Sequence, residues 1–441
     1  MEYFVQQSNL YAEQIKINLQ LTVEELKAFL GILIVMGLDH LPSLRLYWSR
    51  DRNFHKDRIT EVFPIKRFLK VLRCLHLNNN QIMPARGTPA FDKLYKIRPL
   101  ITHFSQVYSE SFTPSRNVAI DESMIGFKGR TSLKQYMPMK PVKRGFKVWA
   151  LACSETGYLY AFDIYQGKGE AGPDTLGERV ILKLLASLED KGFCAYFDNF
   201  FTTIPLMKKL ADRSLFGCGT IRQTRKHFPK RHLIEDKKIA MGQSDFAVCN
   251  EISIVKWKDR GTKSVTVCSN MHNAADTGQV LRTNKTGERE TVACPKSVVD
   301  YNKYMGGVDR FDQRLESYCV SWKSRRWWMK LLYYFIDSSI VNAYIIYKET
   351  LKKYNPRKKP MSHLKFRSLL ADQFIGNFTA RKKPGPLPLR NAFENAHFPV
   401  KTTKRRCQQC SKRGVQKRSN YMCNECQIAL CVECFGLYHN D

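Results

Sequence analysis

Apolar positions in the first ~115 residues recur at helical spacing. Leu21-Thr22-Val23-Glu24-Glu25 predicts a capped helix start, continued through Lys27, Phe29, Leu30 and Leu33. From Pro64 to Leu77 the same period returns in Ile65, Phe68, Leu69, Leu72 and Leu75, with Lys66, Arg67, Lys70 and Arg73 between them. Pro64 suits the first turn of that helix, where a missing N–H costs nothing.

After Asn117 the pattern shortens to strands. Val118-Ala119-Ile120-Asp121 is a buried-strand run ending in an acid, and Lys147 to Cys153 and Tyr158 to Ile164 predict two more strands about a turn at Glu155-Thr156-Gly157. Gly177 to Leu188 is amphipathic at helical period, Phe193 to Phe197 is a strand that ends at Asp198, Pro205 to Asp212 is helical, and Leu215 to Gly219 is a fifth strand. The predicted order is β-β-β-α-β-α-β. Residues 226–294 interrupt it with short hairpins, of which Ile252 to Trp257 and Ser264 to Cys268 flank the turn signal Asp259-Arg260-Gly261. Helical texture returns from Val298 to Lys353.

Charge changes the picture. The 441 residues carry a formal net charge of +32, which favours a polyanionic partner. The 20 Tyr, 26 Phe and 6 Trp spread among the cations suit phosphate neutralisation with base stacking, so nucleic acid is favoured over a membrane surface. The longest strongly apolar run, Phe29 to Leu38, falls well short of the ~20 residues a spanning helix needs and predicts a buried core helix. The N-terminus lacks a signal-peptide pattern. Cysteines 74 to 319 are scattered as reduced thiols would be.

Asp121 and Asp198 each end an apolar strand, and the strand order matches an RNase H-like sheet, where the first and fourth strands are neighbours. Two carboxylates side by side repel unless a divalent cation lies between them. Asp309 and Asp312, in Gly306-Gly307-Val308-Asp309-Arg310-Phe311-Asp312-Gln313, share a helix face three residues apart. Four such carboxylates suit two Mg²⁺ ions, one activating water or a 3′-OH and one stabilising the leaving oxygen. Any one of these acids by itself is an ordinary cap or turn residue. Asp163 also lies at a strand end but belongs to no such set.

The tail holds Cys407-x₂-Cys410, Cys423-x₂-Cys426, Cys431-x₂-Cys434 and His439, which is zinc-ligand spacing. A cross-braced order puts Cys407, Cys410, Cys431 and Cys434 on one Zn²⁺. Cys423, Cys426 and His439 would hold a second, with His397 and Asp441 as candidates for its fourth place. So short a segment would draw most of its folding energy from the metal. A disulfide knot is the competing reading and does not suit a chain without a secretion signal. Residues 381–418 hold twelve Lys or Arg against the single acid Glu394, with Pro384, Pro386 and Pro388 among them, and predict a basic extended linker ahead of the tail.

These residues carry a family resemblance. Asp121-Glu122-Ser123-Met124, Gly126-Phe127-Lys128-Gly129-Arg130, Lys140-Pro141 and Gly145-Phe146-Lys147 resemble the first catalytic block of piggyBac transposases. Tyr196-Phe197-Asp198-Asn199-Phe200-Phe201-Thr202 resembles the second block, and Gly306-Gly307-Val308-Asp309 through Gln313 the third. Cys218-Gly219-Thr220-Ile221-Arg222 and the tail also match, so the likeness spans nearly the whole chain.

The resemblance implies cut-and-paste DNA transposition at TTAA sites through hairpin intermediates, by a nuclear homodimer that binds double-stranded transposon ends. It places the catalytic aspartates on Asp121, Asp198, Asp309 and Asp312, DNA-contacting residues on Arg222 and Arg225, and a tryptophan beside the catalytic site on Trp327. Trp327 is equally well read as core, given Met329, Leu331, Leu332 and Phe335 nearby.

The expected fold class is α/β. A helical dimerisation and DNA-binding domain (1–115 and 319–380) surrounds an RNase H-like catalytic domain (116–225 and 295–318), with a β-rich insertion (226–294), a basic linker (381–406) and a cross-brace zinc domain (407–441). Family members usually begin with a long polar tail, whereas this chain opens near the helical region, which points to a shortened, rearranged or domesticated copy. The alternative functions are a catalytically silent, domesticated DNA-binding protein and a chromatin reader acting through the zinc tail.

Overall fold

Thr22 does start a helix: its hydroxyl accepts from the Glu25 N–H at 3.2 Å and opens α2 (Val23–Leu38), which follows α1 (Glu2–Gln14). The structure, a computed structural model, describes residues 1–167, 172–283, 287–320, 322–381 and 397–439. It divides into two compact units, residues 1–380 and 381–441. The apolar run from Phe29 is buried within α2 on nearly every side, as a core helix requires. No helix of the described residues is long and apolar enough to cross a membrane. After the short α3 (Asp57–Thr60) comes α4 (Ile65–Cys74). Pro64 stands at its N-cap rather than in its first turn, because its extended backbone lets its carbonyl accept from both Arg67 and Phe68. The helix α5 (Arg98–Ser111) then leads into the sheet.

The predicted alternation of strands and helices is present with one short addition. The elements are β1 (Asn117–Gly126), β2 (Gln135–Tyr136), β3 (Arg144–Cys153), β4 (Leu159–Ile164), α6 (Leu176–Leu185), β5 (Cys194–Phe197), α7 (Ile204–Ala211) and β6 (Phe216–Thr220). A Thr175–Glu178 capping box starts α6. Strand β1 lies between antiparallel β3 and parallel β5, and β5 pairs parallel with β6.

The segment 226–294 was expected to form hairpins standing apart from this sheet. Instead β7 (Ser244–Cys249), β8 (Ile252–Trp257) and β9 (Val265–Ser269) prolong it, because β9 pairs antiparallel with β6. Burial accounts for this: Cys268 and Val267 are fully covered where they meet β6. The turn at Gly261 takes a positive φ of 88° as its sequence suggests. A separate hairpin, β10 (Thr277–Thr283) with β11 (Arg289–Pro295), completes the insertion.

The chain then forms α8 (Lys296–Tyr304), α9 (Gly307–Glu316), α10 (Trp327–Tyr354) and α11 (His363–Ile375). Helix α11 packs against α2 at Gly31, where a Cβ would sit 2.7 Å from Ile375 and 2.9 Å from the Ala371 carbonyl, so only glycine admits the contact. Arg367 of α11 is wholly buried and pairs with Asp337 of α10 at 2.9 Å. Burial pushes the Asp337 carboxyl up while Arg367 draws it back.

His76, just past α4, is 3 % exposed and stacks on Tyr11 at 3.8 Å. Burial pushes its pKa down to about 4, with Lys96 and Arg326 adding to the effect and Asn80 opposing it. Because the folded value lies below the unfolded ~6.5, the neutral ring stabilises the fold fully above pH 6.5, and this is lost as the pH falls towards 4. The loss is about 2 kcal/mol by pH 5 and about 3 kcal/mol at pH 4. Urea unfolding of His76→Gln beside the parent should therefore show the smaller acid loss in the variant. Equal losses would refute this account.

In the second unit, β12 (Pro399–Arg406) pairs antiparallel with β13 (Arg418–Cys423), and the short helices α12 (Gln408–Lys412) and α13 (Val432–His439) complete it. The stretch 381–406, expected as linker, thus divides. Residues 382–396 lie outside the described residues, and 399–406 are a strand whose ladder to β13 draws them into the cysteine-rich fold.

Candidate functional site

Register brings the first two acids together. Ile120 of β1 lies opposite Phe197 of β5 in a parallel pair, so the next residues, Asp121 and Asp198, emerge side by side on strands ~4.8 Å apart. Helix α9 brings up the second pair. Its first turn presses on the sheet at Gly307, where a Cβ would lie 3.0 Å from that of Ala119 and 3.2 Å from the carbonyls of Ala152 and Cys153. Val308 and Phe311 are buried beneath it. The guanidinium groups of Arg310 and Arg314 bind the carbonyls of Ser154 and Thr156, fixing the helix to the β3–β4 turn. Asp309 is exposed in the first turn, and Asp312 accepts from the Ser123 hydroxyl of β1 at 2.8 Å.

The electrostatics are those of crowded carboxylates. Burial pushes Asp121 up to about 6; Lys140 and the Glu122 N–H, which donates to it at 2.7 Å, oppose that rise. Burial likewise lifts Asp312 to about 7 against the Ser123 bond, with Glu316 and Asp309 adding repulsion. Asp198 is raised by burial although it accepts from the Phe200 N–H at 2.9 Å. Among the described residues, groups of three or more His, Cys, Asp or Glu whose ligand atoms all fall within 4.8 Å of one another occur only in the cysteine-rich unit, so no three of the four aspartates close up that far. An ammonium lies among them instead. Lys140 Nζ is 4.0 Å from Asp121 and 3.6 Å from Glu122, and its pKa is raised, against burial, by Asp121, Glu122 and Asp309.

Lys140, Glu122 and Lys147 form a charged frame to which the sequence reading gave no role. Glu122 is held between Lys140 and Lys147, the latter 3.5 Å away and seated 3.8 Å over the Trp149 ring. The signal was in the chain, since these residues fall inside the motif-bearing stretches around Asp121, Lys140-Pro141 and Lys147.

Arg222 is exposed and donates to the Asn199 side chain at 2.7 Å, so it stands beside the loop that follows Asp198. Arg225 is committed to that loop: it binds the carbonyls of Asn199 and Phe200 at 2.7 and 2.8 Å. Trp327 is half-buried at the start of α10, its ring 6.4 Å from that of Phe146. A groove of about 990 Å³ borders the acids' strand, and Lys128, Lys134, Lys143, Arg144, Lys323 and Lys330 line it. Asp163, outside the acid set, pairs with Lys183 at 2.7 Å. A Ser269–His272–Asp300 line, with spacings of 2.8 and 3.1 Å, has the components of a hydrolytic triad. Ser269 is fully buried and accepts from the Met271 N–H, so the line braces the insertion.

In the second unit the seven expected ligands fall into the two expected groups. Cys407, Cys410, Cys431 and Cys434 form one, with Cys410 Sγ 3.8 Å from Cys431 and 3.5 Å from Cys434. Those separations are near the ~3.7 Å expected between sulfurs about 2.3 Å from one tetrahedral ion. Burial alone would raise the Cys407 thiol, but the N–H groups of Cys410 and Cys431 help bring it down to about 7. His397 completes the other group: its Nδ1 lies 3.2 Å from both Cys423 and Cys426, and Cys426 is 3.5 Å from His439 Nε2. His439 Nδ1 faces the Phe435 carbonyl at 2.7 Å, which leaves Nε2 to act as ligand. Asp441, the other candidate, lies outside the described residues.

Comparison with known proteins bears on the family and the overall fold. Residues 1–344 match the family model described as Transposase IS4. The human PiggyBac transposable element-derived protein 3 is 29% identical over 465 aligned positions, which take in 100% of this chain and 74% of that protein. The human PiggyBac transposable element-derived protein 2 is 30% identical over 358 positions, 79% of this chain and 59% of the relative. Among solved structures, a piggyBac transposase synaptic complex with hairpin DNA superposes with a TM-score of 0.73 at 24% identity, over 98% of this chain and 92% of that one.

Proposed function

Since the chain belongs to the piggyBac transposase family, we propose that it is a DNA transposase of the DDD type, cleaving and joining DNA strands at TTAA sites. The observation that carries the reading is the approach of Asp121 and Asp198, on two adjacent inner strands, and of Asp309 and Asp312, on one helix, beside a basic groove. The placing of β1 between antiparallel β3 and parallel β5 supports reading the sheet as an RNase H-like core.

Buried carboxylates that burial drives towards protonation suit a hard divalent cation, whose charge reverses that penalty. Two Mg²⁺ ions would supply a nucleophile at neutral pH and charge stabilisation for the leaving oxygen. The chain's own residues set the geometry. Ser123 orients Asp312, the Glu122 and Phe200 N–H groups orient Asp121 and Asp198, and Lys140 balances the acids' charge. Cationic groove walls would hold the phosphate backbone, and two Zn²⁺ would brace the cysteine-rich unit. The DNA would be double-stranded transposon ends, engaged by a nuclear homodimer.

A second reading, a domesticated protein that only binds DNA, is favoured by one observation: no three of the acids come within 4.8 Å of one another, and the Lys140 ammonium lies 4.0 Å from Asp121. Incubating the purified chain with a DNA hairpin carrying TTAA at its tip decides between them. Mg²⁺-dependent opening, abolished by EDTA, is expected of the transposase. Binding without opening at any Mg²⁺ or Mn²⁺ concentration would leave the second reading standing.

DNA affinity should fall log-linearly with salt, by orders of magnitude over a few-fold rise. Arg222→Ala should lessen that slope by about one unit. Arg225→Ala should also impair cleavage, because it releases the loop after Asp198. Binding titrations at several salt concentrations check the slopes and the hairpin-opening assay checks Arg225→Ala cleavage, and a flat salt dependence would show that the basic surface is not the footprint.

A further inference from the structure

Strand β7 ends the long sheet and, among the described residues, pairs with β8 alone. Its hairpin turns through Asn250 and Glu251, with Asn250 at φ 51°, so Cys249 and Ile252 are the first bonded pair. The alternation then leaves the backbone N–H and C=O of Ser244, Phe246 and Val248 facing away from the sheet. Proteins usually blunt such an edge with lysine, proline or a bulge. The sequence Ser-Asp-Phe-Ala-Val-Cys has neither residue, and its register runs unbroken over six pairs. Phe246 and Val248 are 46% and 55% exposed. Beside them lies a groove of about 860 Å³ with apolar walls from Ile204, Pro205, Ile252 and Ile254.

The rim of this groove is cationic. Lys208 lines it, Lys226 adjoins the lining His227 along the chain, Lys230 and Arg231 fall between the lining Pro229 and His232, and all four are exposed and make no ion pair among the described residues. The strand's own carboxylate, Asp245, is turned inward and accepts from the Ile234 N–H at 2.6 Å, while Glu251 sits at the hairpin tip. We propose that β7 is a docking edge for an extended segment of a partner protein that is apolar at its centre and acidic at its ends. The segment would add a strand to the sheet, its apolar side chains entering the groove and its carboxylates meeting the rim. Duplex DNA would use the rim but neither the strand edge nor the apolar walls. The proposal is independent of whether the chain cleaves DNA.

The test is fluorescence anisotropy of the full chain with a labelled synthetic peptide of about ten residues with Val and Phe at its centre and Glu at both ends. Binding with Kd on the order of 10 µM is expected. Val248→Pro removes an outward N–H without touching the β7–β8 ladder and should weaken binding about tenfold. Phe246→Ser keeps the backbone intact and should weaken it severalfold, so the test survives if the proline variant misfolds. No binding, or equal binding by parent and both variants, would overturn the proposal. So would displacement of the peptide by a short DNA duplex whose own affinity drops in Val248→Pro, which would make this face a DNA path.

Discussion

Asp198→Asn is expected to abolish Mg²⁺-dependent opening of a TTAA hairpin, by about a thousandfold or more, while DNA affinity stays within about twofold. Asp198 stands beside Asp121 across a parallel strand pair, and an amide there keeps shape but cannot balance a divalent cation. Asp121→Asn and Asp312→Asn should behave alike, since both carboxylates are half-buried in the same cluster and are raised by it. Stability supplies a separate readout. In EDTA, Asp198→Asn removes a buried charge that Glu122 repels, so its Tm should equal or exceed the parent's. Added Mg²⁺ should raise the parent's Tm and leave the variant's unmoved. Full cleavage by the variant would remove Asp198 from the metal site, whereas loss of cleavage with a collapsed Tm would make its role structural.

The acid set was legible because each member obeys a local rule: two acids end apolar strands, and two lie three residues apart on a helix. Asp163 obeys the first rule and pairs with Lys183 instead, so the rule needed the strand order to select among its candidates. The charged frame around Asp121 was not legible. Glu122 meets Lys140 and Lys147 only after β1 and β3 take their register, which pairs Glu122 with Trp149. The fate of the insertion was hidden for a similar reason. Its hairpin is local and was foreseen, while its junction with the sheet depends on β9 meeting β6 across residues that carry no pairing signal. Arg225, which the resemblance places at DNA, also donates through one guanidinium nitrogen to two carbonyls of its own chain, a contact that no local pattern announces.

The cysteine-rich unit should bind two Zn²⁺ per chain, and its fold should depend on them. Its buried apolar core consists of little beyond its own cysteines and Leu430, so burial alone offers few kcal/mol, whereas structural zinc contributes roughly 10–16 kcal/mol in small domains. Cys410→Ser breaks the all-cysteine site and should unfold residues 397–439, weaken recognition of transposon ends, and leave the first unit's Tm in place. His397→Ala tests the other site. His397 comes ten positions before Cys407, in a stretch read as linker, and of the two sequence candidates for the fourth place it is the one set against Cys423, Cys426 and His439. Metal analysis by mass spectrometry should therefore give about two zinc ions for the parent and about one for His397→Ala. Two ions in that variant would show that His397 is a bystander to a site completed by another residue. If Cys410→Ser instead lowered the melting temperature of the whole chain, the tail would be a structural part of the first unit, and its assignment as an independently folding module would fail.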